Sequence, residues 1–192
     1  MALPATDDFN RANANPAGGN WSACTSGGNV KILSNRLSGA GSSDFVAYWN
    51  ADTPNNDQYA KCLVPLSASY DGGPGVRVNY NNIHNGYFYN VGFGSISKIT
   101  NGSWSVVLWG TTGTYSATSV YKLQAVGNAL TTFQDSTQTG TSTDSSFPSG
   151  NLGIGGYATD IIIDDWEGGN VGGAASSILM PKHTYFSNLM SL

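Results

Sequence analysis

Apolar and polar residues alternate with period two along most of this chain, a pattern that builds strands and rules out a helical fold. "GYFYNVGF" places Tyr87, Tyr89, Val91 and Phe93 on one face and Phe88, Asn90 and Gly92 on the other, while "VYKLQAV" sets Tyr121, Leu123 and Ala125 against Lys122 and Gln124. The same period, bounded by turn residues, returns in "NVKIL", "DFVAYW", "DQYAKCLVPL", "GVRVN", "SISKIT", "SWSVVLW", "NALTTFQD", "GNLGIGGY" and "DIIIDDW". With "TDDF" near the start, this makes about twelve strands at the roughly 8 to 12 residue spacing of sandwiches and barrels. Asn101-Gly102 and Gly127-Asn128 fall between strand patterns and offer the positive φ of tight hairpin turns. No helical stripe of useful length precedes residue 170, so the pattern predicts an all-β, antiparallel two-sheet sandwich.

Composition narrows the partners. Charged residues are only 10 % of the chain, with net charge −4 and eight Lys plus Arg spread singly. Nucleic-acid binding needs clustered cations to displace phosphate counterions, so it is excluded. No stretch approaches the roughly 20 apolar residues of a bilayer span, and "MALPATDDF" has neither the basic nor the apolar region of a secretory signal. Cys24 and Cys62 stand far apart in no metal-type cluster and read as free thiols. The sequons at Asn20 and Asn101 would matter only in a secretory pathway.

From Gly168 the pattern changes. "GGNVGGAASS" reads as a flexible tether, leading to an apolar tail that includes Ile178, Leu179, Met180, Tyr185, Phe186, Leu189, Met190 and Leu192. The expected organisation is therefore a sandwich domain over 1–169, a linker over 170–177 and an apolar C-terminal arm over 178–192, the arm docking on its own domain or on another chain.

The segments "DDFNRANANPAGGNW", "DQYAKCLV", "GVRVNYNNIHNGYFY" and "GNLGIGGYATDIIIDDWEGG" together resemble the concanavalin A-like lectin and glucanase superfamily, in particular the laminin-G-like jelly rolls of bacterial surface proteins and tailed-phage structural proteins. The resemblance covers roughly Thr6 to Gly169. It implies a jelly roll whose first and last strands pair in the middle of a sheet, making "TDDF" and "IIIDDWE" neighbours. By simple alternation Asp165 would share the core face of Ile161 and Ile163, so a bulge or strand end near Asp164 is expected. Phe9 and Trp166 would then anchor the two strands.

Four chemistries have candidate residues. Asp7, Asp8, Asp164 and Asp165 could supply oxygens to a structural calcium, the one metal considered; otherwise they cap turns, and no cofactor is called for. Glycoside hydrolysis takes two carboxylates flanking a bond, but Glu167 is the chain's sole glutamate and no middle strand carries two carboxylates on one face. His84 and His183 are isolated and read as solvated surface residues. Sugar binding has the fullest set: Arg77, Asn79, Tyr80, Asn82, Tyr87, Tyr89, Trp104 and Trp109 in adjacent hairpins, although Tyr and Trp also fill sandwich cores.

Two functional readings follow, neither enzymatic. One is a structural or decoration subunit of an assembly such as a tailed-phage virion, displayed at the virion surface and fastened to copies of itself or to other virion proteins by the arm. The other is a carbohydrate-binding module of a surface or secreted protein, with glycans as its partners.

Overall fold

The computed structural model describes residues 3–24, 29–67, 72–80, 84–159 and 161–172, and of Ser67 and Tyr80 the backbone alone. Among these residues fifteen strands follow one another: β1 (Ala5–Asp7), β2 (Trp21–Ala23), β3 (Val30–Leu33), β4 (Arg36–Gly39), β5 (Asp44–Trp49), β6 (Gln58–Ser67), β7 (Gly73–Tyr80) and β8 (His84–Asn90), then β9 (Ser95–Thr100), β10 (Ser103–Trp109), β11 (Val120–Val126), β12 (Ala129–Gln134), β13 (Thr137–Thr143), β14 (Asn151–Tyr157) and β15 (Ile161–Asn170). Three of these escape the hydrophobic pattern. β2 and β4 are short, and β13, "TQTGTST", holds no apolar residue because it is a sheet edge.

The strands form two antiparallel sheets. The first runs β13-β12-β11-β6-β15-β4-β3, with β1 also on β15, and the second runs β10-β9-β8-β7-β14-β5-β2. On one edge of β15, β4 pairs Ile162 and Ile163 while β1 pairs Trp166 to Gly168, so the first and last strands meet inside a sheet as expected. The last strand reaches Asn170, whose side-chain carbonyl accepts from the Asn55 amide, one residue past the expected domain boundary. Residues 173–192, including the whole expected arm, lie outside the described residues.

The bulge in β15 is present. Its pairing with β6 slips on both sides of Asp164, and Asp165 takes a φ of 45° and points to solvent. Ile161, Ile163 and Trp166 are thereby all buried, at an interval of three where strict alternation allows two. Trp166 stacks on Trp49 at 5.2 Å and meets Trp21 edge-on at 4.8 Å, with Phe9 tilted beyond Trp21 at 6.0 Å. This aromatic layer forms one end of the core between the sheets, which Leu37, Val64, Tyr87, Tyr121, Leu123, Ile154 and others complete. Both cysteines are free and buried, as their spacing suggests, and burial pushes the Cys24 thiol up to about 12.

The turn at Asn101-Gly102 carries positive φ at both residues, 51° and 79°, which lets the strands keep their twist. Ser34-Asn35 makes the same turn between β3 and β4 with no glycine.

Candidate functional site

The second sheet buries apolar residues on both faces. Tyr87, Tyr89, Ile96 and Val76 belong to the core between the sheets, whereas Cys24, Val46, Val78, Phe88 and Ile99 form a separate cluster on the outer face, with Tyr48 and Trp104 packed against it. Register lays out that outer face in rows. Trp109 lies opposite Ser95 and Ser95 opposite Asn90; Val106 lies opposite Ser97 and Ser97 opposite Phe88; Trp104 lies opposite Ile99. Next to Phe88 stands Gly75, and next to Gly75 stands Gly153. These glycines leave no side chain on the face, and Phe88 fills the space: a Cβ built on Gly75 would sit 2.6 Å from its Cε1, and one on Gly155 2.8 Å from its Cδ1.

The result is an open cleft of about 230 Å³ crossing β10, β9 and β8 toward the ends of β14 and β5. Trp104, Ser105 and Val106 make one wall, Ser97 and Asn90 lie across it, and Phe93, Tyr157 and Asp44 close the far side. The Trp104 ring leans on Phe88 at 5.3 Å between centroids. Asn90 donates its amide N–H to Ser97 Oγ at 3.0 Å, but among the described residues its buried Oδ1 has no hydrogen-bond partner, and neither has the buried Trp104 indole N–H. Buried polar atoms without partners are uncommon and mark places where a ligand or water completes the set. His84, at the start of β8 and outside the cleft lining, is only 3 % exposed; burial pushes its imidazole down, and the Asp44 charge opposes that shift. His84 is therefore a buried strand residue rather than the solvated one its Asn-rich surroundings suggest, while His183 lies outside the described residues.

The sequence-derived sugar set divides. Trp104 lines the cleft, and Trp109, 64 % exposed, stands beyond it against Phe93. Arg77 does not reach the surface. A bulge in β7 gives it a φ of 53° and turns its side chain inward, where the guanidinium donates to the carbonyls of Asn56, Gly127 and Phe147 at 2.7 to 3.1 Å and is 1 % exposed. Simple alternation, which sets Arg77 apart from the buried Val76 and Val78, fails at that bulge. Tyr87 and Tyr89 are core residues whose hydroxyls bond Asp144, and Thr111 with Thr139. Asn79 donates to the Ser149 carbonyl at 2.7 Å. Asn82 and the Tyr80 side chain lie outside the described residues. Asp44, Asn90, Phe93, Ser97 and Tyr157 carry no sequence signal of their own, because they come from separate strands and loops.

A second hollow, of about 530 Å³, lies over β1 and β15 and includes Asp7, Asp8, Asp165 and Glu167. Its carboxylates are largely committed. Asp7 accepts from Trp21 Nε1 and Arg11, and Glu167 accepts from the Tyr59 hydroxyl at 2.6 Å and pairs with Lys61 at 3.0 Å. Asp164 pairs with Arg36 at 3.3 Å. Among the described residues no three His, Cys, Asp or Glu side chains are grouped to hold a metal ion, and Asp7, Asp8, Asp164 and Asp165 make no such group. The aspartates serve the backbone instead: Asp7 Oδ1 accepts from the Phe9 amide and Asp8 Oδ1 from the Asn10 amide.

The fold is the concanavalin A-like jelly-roll sandwich. Among solved structures it is similar to a carbohydrate-binding module, CBM66, from Bacillus subtilis, at 17 % identity over 79 % of this chain and 92 % of that one, with a TM-score of 0.58. It is also similar to a Bacillus subtilis protein of unknown function with a galectin-like fold, at 11 % identity over 88 % and 96 % of the two chains and a TM-score of 0.60. A prokaryotic β-1,3-1,4-glucanase (lichenase) from a mouse hindgut metagenome matches at 9 % identity, over 86 % and 98 %, with a TM-score of 0.55. No family model matches the chain, and no curated protein matches it significantly. Identities this low establish a shared fold, and one fold hosts both binding modules and hydrolases. None of the comparisons supports a virion role, and the arm on which that reading rests lies outside the described residues.

Proposed function

We propose that this chain is a carbohydrate-binding module that holds a glycan in the cleft on the outer face of the second sheet. The observation that carries the reading is the pairing of two buried, unpartnered polar atoms, Asn90 Oδ1 and Trp104 Nε1–H, in a cleft that also presents the Trp104, Phe93 and Tyr157 rings. A sugar offers what these groups lack. Its hydroxyls donate to an amide oxygen and accept from an indole N–H, and its C–H faces lie against aromatic rings. Each orphan group regains a bond it now forgoes, at a cost of about 1 to 3 kcal/mol while unmade.

Binding rather than hydrolysis is the reading the lining favours. Glycoside hydrolysis takes two carboxylates roughly 5 to 10 Å apart across the bond. Among the described residues Asp44 is the one carboxylate that lines the cleft. A module of this kind works where glycans are displayed, at a cell surface or in the extracellular medium.

The test is a glycan array followed by titration calorimetry on the glycans it returns. Asn90→Ala and Asp44→Asn should lose binding at least tenfold while keeping the wild-type melting temperature within a few degrees. Array silence for the wild-type protein, or full affinity in both variants, rejects the cleft as the site.

A further inference from the structure

The aromatic surface does not stop at the cleft. Phe93 lines it and also meets Trp109 edge-on, with ring centroids 6.1 Å apart, and the two rings are 50 % and 64 % exposed. Trp109 lies on the same strand and face as Trp104, roughly 15 Å further along at the usual strand rise. Between Trp109 and the cleft, in the row Trp109–Ser95–Asn90, Ser95 is 1 % exposed and its Oγ has no hydrogen-bond partner among the described residues. The pattern of the cleft, an unpartnered polar atom beside an aromatic ring, is thus repeated outside it.

Charge adds a second constraint. Among the described residues the cleft lining carries the Asp44 carboxylate and no Lys, Arg or His, so an anionic sugar would meet repulsion that none of those side chains offsets.

From this geometry we infer that the site takes an uncharged oligosaccharide of at least two units, one ring held between Trp104 and Asn90 and the next stacked on the Phe93–Trp109 pair. This rests on the cleft being the glycan site and adds chain length, charge and the specificity-determining role of Trp109. Trp109 lies outside the cleft lining, so a single ring bound between Trp104 and Asn90 leaves it to the next unit of a longer ligand.

The experiment uses the full chain on an array of neutral, sialylated and sulfated oligosaccharides, then calorimetry with a neutral hit and its component monosaccharide. The wild-type protein should select neutral glycans and bind the oligosaccharide more tightly than the monosaccharide. Trp109→Ala, a change at an exposed ring, should weaken the oligosaccharide about tenfold and leave the monosaccharide unchanged. Asn90→Ala should weaken both. Preference for sialylated or sulfated glycans, equal affinity for mono- and oligosaccharide, or wild-type oligosaccharide affinity in Trp109→Ala overturns this inference while the cleft itself stands. No glycan bound by the wild-type protein overturns both.

Discussion

The indole N–H of Trp21 donates to the carboxylate of Asp7 across 2.8 Å, which ties the first strand to the aromatic layer from the outside. The same carboxylate accepts from the Phe9 amide at 2.8 Å and from Arg11 at 2.6 Å. Trp21 is 6 % exposed, so removing its acceptor strands a buried donor. Asp7→Ala should lower stability by about 2 kcal/mol in urea unfolding. Arg11→Ala, which removes a partner that is one-third exposed, should cost under about 1 kcal/mol. Equal effects of the two changes would show that the ion pair, not the indole bond, is the tie.

Asp165 answers the puzzle of a strand that runs from isoleucines into paired aspartates. Its φ of 45° makes the bulge that returns Trp166 to the core. Glycine adopts that conformation freely and a β-branched residue does not. Thermal melts should show Asp165→Gly at or above wild-type stability and Asp165→Val lower by about 2 kcal/mol. A neutral Asp165→Val would mean that the bulge is held by the sheet rather than by the residue.

Asp144 links the two sheets through acid-sensitive bonds. Burial alone would push its carboxyl up, but Lys98 at 2.6 Å, the Tyr87 hydroxyl at 2.7 Å and the Ser146 amide at 2.8 Å outweigh it and hold the group well below the usual carboxylate range. The folded value thus lies below the unfolded one. Its stabilisation is complete above roughly pH 4 and fades as pH falls from there through the folded value. Asp144→Asn should cost about 2 kcal/mol at pH 7 and give a flatter stability profile below pH 4 than the wild-type protein. Parallel profiles for the two proteins would place the acid sensitivity elsewhere.

Gly75 is required by the Phe88 ring on which Trp104 leans. A Cβ there would lie 2.6 Å and 2.7 Å from two atoms of the Phe88 ring, which is fully buried and has little room to give. Gly75→Ala should destabilise the domain by about 1 to 3 kcal/mol and weaken glycan binding by moving Phe88 and the Trp104 ring that leans on it. Unchanged stability would mean that the ring swings aside freely.

Much of this architecture is local in origin and therefore visible in the residues. Strand alternation, the Asn101-Gly102 turn and the break near Asp164 appear in the structure as expected from the residues, and "TDDF" meets "IIIDDWE" as the family resemblance implies. β13 escaped because an edge strand with two polar faces has no hydrophobic period to detect.

The order of residues alone dictates a two-layer β-sandwich, because alternation forces each strand to bury a face, and it places the bulge, because Asp165 cannot share a core face with Ile161 and Ile163. Which ring faces outward is a property of the packed sheets. β8 is buried on both faces, so alternation separates Phe88 from Tyr87 and Tyr89 without saying which side is the core. Arg77 turns inward at a bulge that no local pattern announces, and Asn90 acquires its meaning only beside Trp104, Phe93 and Asp44, brought together by register across strands distant in the chain.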